Sequence, residues 1–153
     1  MDNNSKKNDI IRVTKLATMI FALIVITAIA IGWINVPYIT YVIARKSDNF
    51  SLVMIYIAYY IGTVLAGTIV FNMYRLLDNL SNNNVFVKKN ISYMNIMSGC
   101  CLAIAIVCLS IAFVWTGTVY VAVVGIFMSL VVKCVASVME KAIEMKSELD
   151  LTV

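Results

Sequence analysis

The sequence predicts an all-α polytopic membrane protein: a bundle of four transmembrane helices, with the fourth continuing beyond the bilayer. Three observations lead there. Apolar stretches at about residues 13–36, 51–73, 93–115 and 118–139 each approach the ~20 residues that a helix needs to cross hydrocarbon. Apolar residues make up 62% of the 153-residue chain, and the mean hydropathy of +0.93 lies well above that of soluble domains. Charged side chains gather in the connectors and near the two ends. One membrane domain, 1–153, is expected, with 140–153 as a tail and no room for a separate water-soluble unit.

The stretches read as helices because an open sheet cannot satisfy its backbone in lipid, and the runs are too long for barrel strands. The first is expected to stop at Pro37. Continuing to Ile43 would give a helix of about 31 residues, roughly 46 Å, against a core of ~30 Å. Residues 38–44 are therefore expected along the membrane surface. The same stretch is too long, and too poor in a small-residue cleavage site, to read as a removed leader. The Asn-rich run 79–84 is expected to interrupt the middle loop, since Asn side chains compete for nearby backbone groups. After the fourth stretch, Val138, Ala142, Met145 and Leu149 keep helical spacing while Glu140, Lys141, Glu144, Lys146 and Glu148 take other faces.

Orientation follows from cationic side chains, which resist translocation when they sit in short loops. Lys6, Lys7, Arg12 and Lys15 precede the first core stretch, Arg75, Lys88 and Lys89 flank the middle loop, and Lys133, Lys141 and Lys146 lie toward the chain's end. Only Arg45 and Lys46 fall on the other side. Both termini are therefore expected in the cytoplasm. Trp33, Tyr38, Tyr41, Phe50, Trp115 and Tyr120 would then mark the outer interface, and Tyr74, Phe86 and Tyr93 the inner one.

Small residues four apart let helix backbones approach closely in lipid, where no hydrophobic force drives association. Ala28/Gly32, Gly62/Ala66, Gly99/Ala103 and Gly125/Ser129 supply one pair per stretch. Two readings stand: packing within the chain, or the seam of a homodimer.

Reactive chemistry is sparse. The chain has no His, and its four stretches hold no Asp or Glu at membrane depth, so proton relays and ion-coupled transport lack their usual parts. No nucleophile–base pair can be assembled, and no cofactor is called for. Cys100, Cys101, Cys108 and Cys134 match no zinc spacing and read as packing residues. Lys133 is the one ionisable side chain inside an apolar run. It reads either as a lysine snorkelling to the interface or as a contact for an anion or lipid head group. Tyr56, Tyr59 and Tyr60 read either as packing or as the wall of an apolar ligand pocket.

Two short segments carry a family resemblance: Val85-Phe86-Val87-Lys88-Lys89-Asn90 before the third stretch, and the closing Met145-Lys146-Ser147-Glu148-Leu149-Asp150-Leu151-Thr152-Val153. With the four-span layout, they resemble the bacterial membrane family catalogued as domain of unknown function 2975, the YoaS-like proteins. The resemblance implies a cytoplasmic-membrane protein of mainly Gram-positive bacteria, often encoded beside a small helix-turn-helix regulator. It carries over no catalytic residues.

The expected role is non-enzymatic: binding or sequestering a soluble cytoplasmic partner, with a helix-turn-helix regulator as the named candidate. The expected contact residues are Phe86, Lys88, Lys89, Met145, Leu149, Asp150, Leu151, Thr152 and Val153. Alternation of Leu149, Leu151 and Val153 with Asp150 and Thr152 also fits a strand added to a partner's sheet. The alternative role is a small transport or immunity protein acting on an apolar ligand. Direct nucleic-acid binding is not expected, because the +4 net charge is accounted for by the positive-inside distribution.

Overall fold

A computed structural model describes residues 3–45, 48–82 and 87–151, the side chains of 3–8 and 150–151 excepted. It is all-α, as expected. Helix α1 spans Asn3–Tyr38 and runs into a π-helical segment, Ile39–Ile43; α2 spans Asn49–Ser81, α3 Lys88–Ser110 and α4 Thr118–Leu151. Four helices are long and apolar enough to cross a membrane.

The helices pack antiparallel and in chain order. α1 meets α2, α2 meets α3 and α3 meets α4, with no close approach of α1 to α3 or α4, or of α2 to α4, among the described residues. The accessible surface is accordingly large, 10222 Å², where a soluble monomer of this mass exposes about 7,700 Å². Large apolar side chains cover that surface, including Leu23, Phe71, Phe113 and Phe127, as a lipid-facing exterior requires.

Side chains on α2 bind α1 through its backbone. Tyr59 donates from its hydroxyl to the Ala28 carbonyl at 2.8 Å, and its ring lies so close to Gly32 that an added Cβ would stand 2.7 Å from Cε1. The Ala28/Gly32 pair therefore works as a slot for a tyrosine of the same chain. Tyr60 completes the contact, edge-on to Tyr59 at 5.7 Å and stacked with Tyr56 at 6.4 Å.

Pro37 does not end the first helix, contrary to the sequence reading. It lies inside α1, and the helical path continues to Ile43. Proline removes the donor that would reach the Trp33 carbonyl, and the Tyr56 hydroxyl donates to that oxygen instead, at 3.3 Å. Beyond it the winding loosens, with the Ala44 amide reaching back five residues to the Ile39 carbonyl at 2.8 Å. Ending the helix at Pro37 would have stranded several carbonyls; looser winding keeps them paired. The path stops at Arg45, whose φ of 53° is left-handed. α2 then starts under Asp48, which accepts from the Ser51 amide at 2.9 Å and hydroxyl at 2.7 Å.

α3 is shorter than its apolar stretch. It closes at Ser110, not near Trp115, because the Val114 and Trp115 amides both turn back to the Ile111 carbonyl. The connector is tight: a Cβ on Gly117 would meet the Trp115 indole at 2.9 Å. Val114 is thereby delivered to a buried cluster with Val36 and Ile55. On the α3–α4 seam, the Ser98 and Ser129 hydroxyls each donate to the other's carbonyl at 2.9 Å and stand 3.0 Å apart. Gly125 packs at the same seam against Ala105 and the Cys101 carbonyl.

At the end that holds both termini, Lys15 pairs with Asp78 at 2.8 Å over the Tyr74 ring, joining α1 to α2. Asn79 donates to the fully buried Asn90 at 2.7 Å, joining α2 to α3. The Asn-rich run consequently does not break α2 at residue 79; the helix reaches Ser81 because the Asn79 amide is engaged across the loop rather than with its own backbone.

Two expectations follow. Replacing Ser98 and Ser129 together by Ala should lower resistance to unfolding in mixed detergent micelles by about 1–2 kcal/mol, with no loss of helix content. Gly32→Ala should destabilise through the Tyr59 ring, whereas Gly62→Ala, whose added carbon meets nothing within 4 Å, should be neutral or stabilising by up to about 1 kcal/mol; thermal denaturation of the two variants side by side checks this.

Candidate functional site

The Ser98–Ser129 clasp and the Lys133–Asn95 contact set the register of α3 against α4. Lys133 donates from Nζ to Asn95 Oδ1 at 2.9 Å, about one turn from the serines. Extending that register brings Lys88, the first residue of α3, level with Glu140; both line the same cavity. Residues 141–151 of α4 therefore project past the start of α3 by roughly 16 Å at 1.5 Å per residue.

The projecting segment is helical to Leu151, while Thr152 and Val153, the rest of the alternation read as an added strand, lie outside the described residues. On it, Met145 is 59% and Leu149 68% exposed, continuing a stripe from Val138 at 63%. The spacing of Val138, Ala142, Met145 and Leu149 holds them on one face of the helix. Lys88 and Lys89 are exposed at the start of α3. The backbones of Asp150 and Leu151 continue α4, while their side chains, together with Phe86, Thr152 and Val153, lie outside the described residues.

The opposite face of α4 borders a groove against α3. Its outer part is a cavity of about 560 Å³ between Lys88, Ser92 and Asn95 on α3 and Glu140, Ile143 and Glu144 on α4. Its inner part, about 360 Å³, is walled by Gly99, Leu102, Ile126 and Leu130. Asn95 belongs to both, and Lys133 stands at their junction. No ion pair within 4.0 Å joins Lys88 to either glutamate among the described residues. Lys133 has an amide as its hydrogen-bond partner, and an ammonium carries three donors in all.

Asn95 and Ser98 carry much of this geometry and did not stand out in the sequence. The available signal was their polarity inside an apolar run, in register with Lys133 and Ser129 on the next helix. The tyrosines of α2 are engaged with α1, as the packing reading had it. The four cysteines are free thiols spread along the α3–α4 half, three of them half-buried.

No curated protein and no solved structure matches the chain. The sequence profile of the family described as Protein of unknown function (DUF2975) matches residues 12–153. That span runs from within α1 through the other three apolar helices, the Ser98–Ser129 clasp and the projecting end of α4, so the chain is a member of the DUF2975 family, with four helices long and apolar enough to cross a membrane.

Proposed function

We propose that the protein is a non-enzymatic component of the bacterial cytoplasmic membrane, with both termini in the cytoplasm, and that it captures a soluble partner on the projecting end of α4. The observation that carries this reading is the exposure of Met145 and Leu149, both more than half exposed, on the stretch of α4 that extends beyond the level of Lys88. A helical apolar stripe is the type of element that docks into a partner's groove. Lys88 and Lys89 stand at the base of the projection and supply a cationic rim. A small helix-turn-helix regulator is the partner class that we favour, because it is soluble and presents apolar grooves between short helices.

A second reading, action on an apolar ligand, draws on the cavity of about 420 Å³ between α1 and α2, lined by Met19, Val25, Ile29 and Phe71 among others.

Sidedness is tested by single cysteines in a cysteine-free background. With a membrane-impermeant thiol reagent on whole cells, a cysteine at Asn49 should react and one at Ser81 should not; the reverse pattern would invert the topology. Docking is tested by Met145→Glu with Leu149→Glu. The double variant should insert and fold normally, because the spans supply stability, yet lose at least about tenfold in affinity for its partner. Should it retain every soluble protein held by the unaltered chain, the ligand reading between α1 and α2 becomes the better account.

A further inference from the structure

The groove between α3 and α4 presents charge in a fixed order along its length. At the inner end it is apolar, walled by Leu102, Ile126 and Leu130. One turn further out stands the Lys133 ammonium, held on Asn95 at 2.9 Å. Beyond that, toward the end where α1 begins, Glu140 and Glu144 face the cavity one turn apart, with Ser92 and Lys88 across from them on α3, so carboxylates outnumber ammonium groups there by two to one. The sequence of environments is hydrocarbon, cation, acid.

A phospholipid whose head group ends in an ammonium has the complementary sequence: acyl chain, phosphate anion, cation. We propose that this groove is a binding site for a phosphatidylethanolamine-type lipid, with an acyl chain on the inner wall, the phosphate on Lys133 and the primary ammonium between Glu140 and Glu144.

Several features select this occupant. Lys133 and Glu140 lie seven positions apart, about 10 Å along the axis, and a lysine stem reaching toward the interface shortens that interval to head-group scale. The ammonium of Lys133 has three donors and spends one on Asn95, leaving donors for phosphate oxygens. A purely anionic head group would bring its outer charge into a cavity where two carboxylates stand against the single ammonium of Lys88. A choline head group has no N–H to donate and is recognised by aromatic cages, whereas neither part of the groove contains an aromatic side chain. Carboxylates and the Ser92 hydroxyl are acceptors for a primary ammonium, and such charge-assisted bonds are the strong ones. Gly99 keeps the inner wall open: a Cβ there would meet nothing within 4 Å.

This site occupies the face of α4 opposite the Met145–Leu149 stripe, and it stands whether or not that stripe docks a protein.

The test uses the full chain, delipidated in a non-ionic detergent and titrated with palmitoyl-oleoyl phosphatidylethanolamine, phosphatidylcholine or phosphatidylglycerol, with bound lipid counted by native mass spectrometry. Phosphatidylethanolamine should bind about tenfold more tightly than either of the others, the scale of one charge-assisted contact. Glu140→Gln with Glu144→Gln should erase the preference over phosphatidylcholine, and Lys133→Gln should weaken all three lipids. Gly99→Leu, which fills open space and leaves the helix seam alone, should weaken all three while helix content and elution volume stay unchanged. Equal or tighter binding of phosphatidylglycerol overturns the proposal, as does a preference that survives the double glutamine variant. Dodecylamine binding as tightly as phosphatidylethanolamine also overturns it, because it would assign the groove to amphiphilic amines without a phosphate contact.

Discussion

Lipid gives apolar helices no reason to leave it for one another, and this constraint governs the structure. Burial of Leu or Ile against a neighbouring helix gains little when the alternative is an equally apolar acyl chain. Association then rests on short-range contacts that lipid cannot imitate: a tyrosine hydroxyl on a backbone carbonyl, two serines exchanging hydrogen bonds, an asparagine amide buried against another. Each requires close backbone approach, and the small residues that permit it are found beside them. Gly32 lies under the Tyr59 ring and Gly125 against Ala105. Elsewhere the helices are free to expose their apolar sides, and most of each span does.

The same contacts give the two ends of the molecule different characters. At the termini, the polar clips follow one another from helix to helix: Lys15 with Asp78 and Tyr74, Asn79 with Asn90, and Lys133 with Asn95. The opposite end is tied by aromatic packing, by the Val36–Ile55–Val114 cluster and by the turn at Gly117. Ion–amide and amide–amide contacts withstand partial hydration at an interface only when several share the load, whereas a short turn needs none of them. The charged end is also where α4 outruns α3.

Helix number, helix type and the membrane setting were legible because hydropathy integrates over twenty residues and tolerates local error. So was the packing role of Tyr59 and of the Ala28/Gly32 pair, since both belong to patterns that work within one chain. Pro37 misled because the helix was judged by its length against a ~30 Å core; in lipid, stranded carbonyls cost more than a loosened turn, and the deciding partner, Tyr56, lies on another helix. Trp115 misled in a different way, since hydropathy cannot distinguish a helical apolar residue from one folded into a tight turn over glycine. The α3–α4 groove depends on register between Asn95 and Lys133, which no single stretch contains. The Met145–Leu149 stripe and the helical extension that carries it were visible in the spacing of Val138, Ala142, Met145 and Leu149.

Contact between chain neighbours only has a kinetic corollary. Every interhelical surface joins segments that leave the ribosome one after the other, so each helix finds its docking surface already in the membrane when it arrives. Among the described helices each packs on its chain neighbours, with the α3–α4 connector alone reaching back to α1 through Val114 and Val36, and assembly resembles the stepwise growth of a linear array more than the closure of a ring. Such an array frays from its ends. Loosening α1 or α4 leaves the remaining neighbours paired, and α2 with α3 forms the segment whose separation would dissolve the whole.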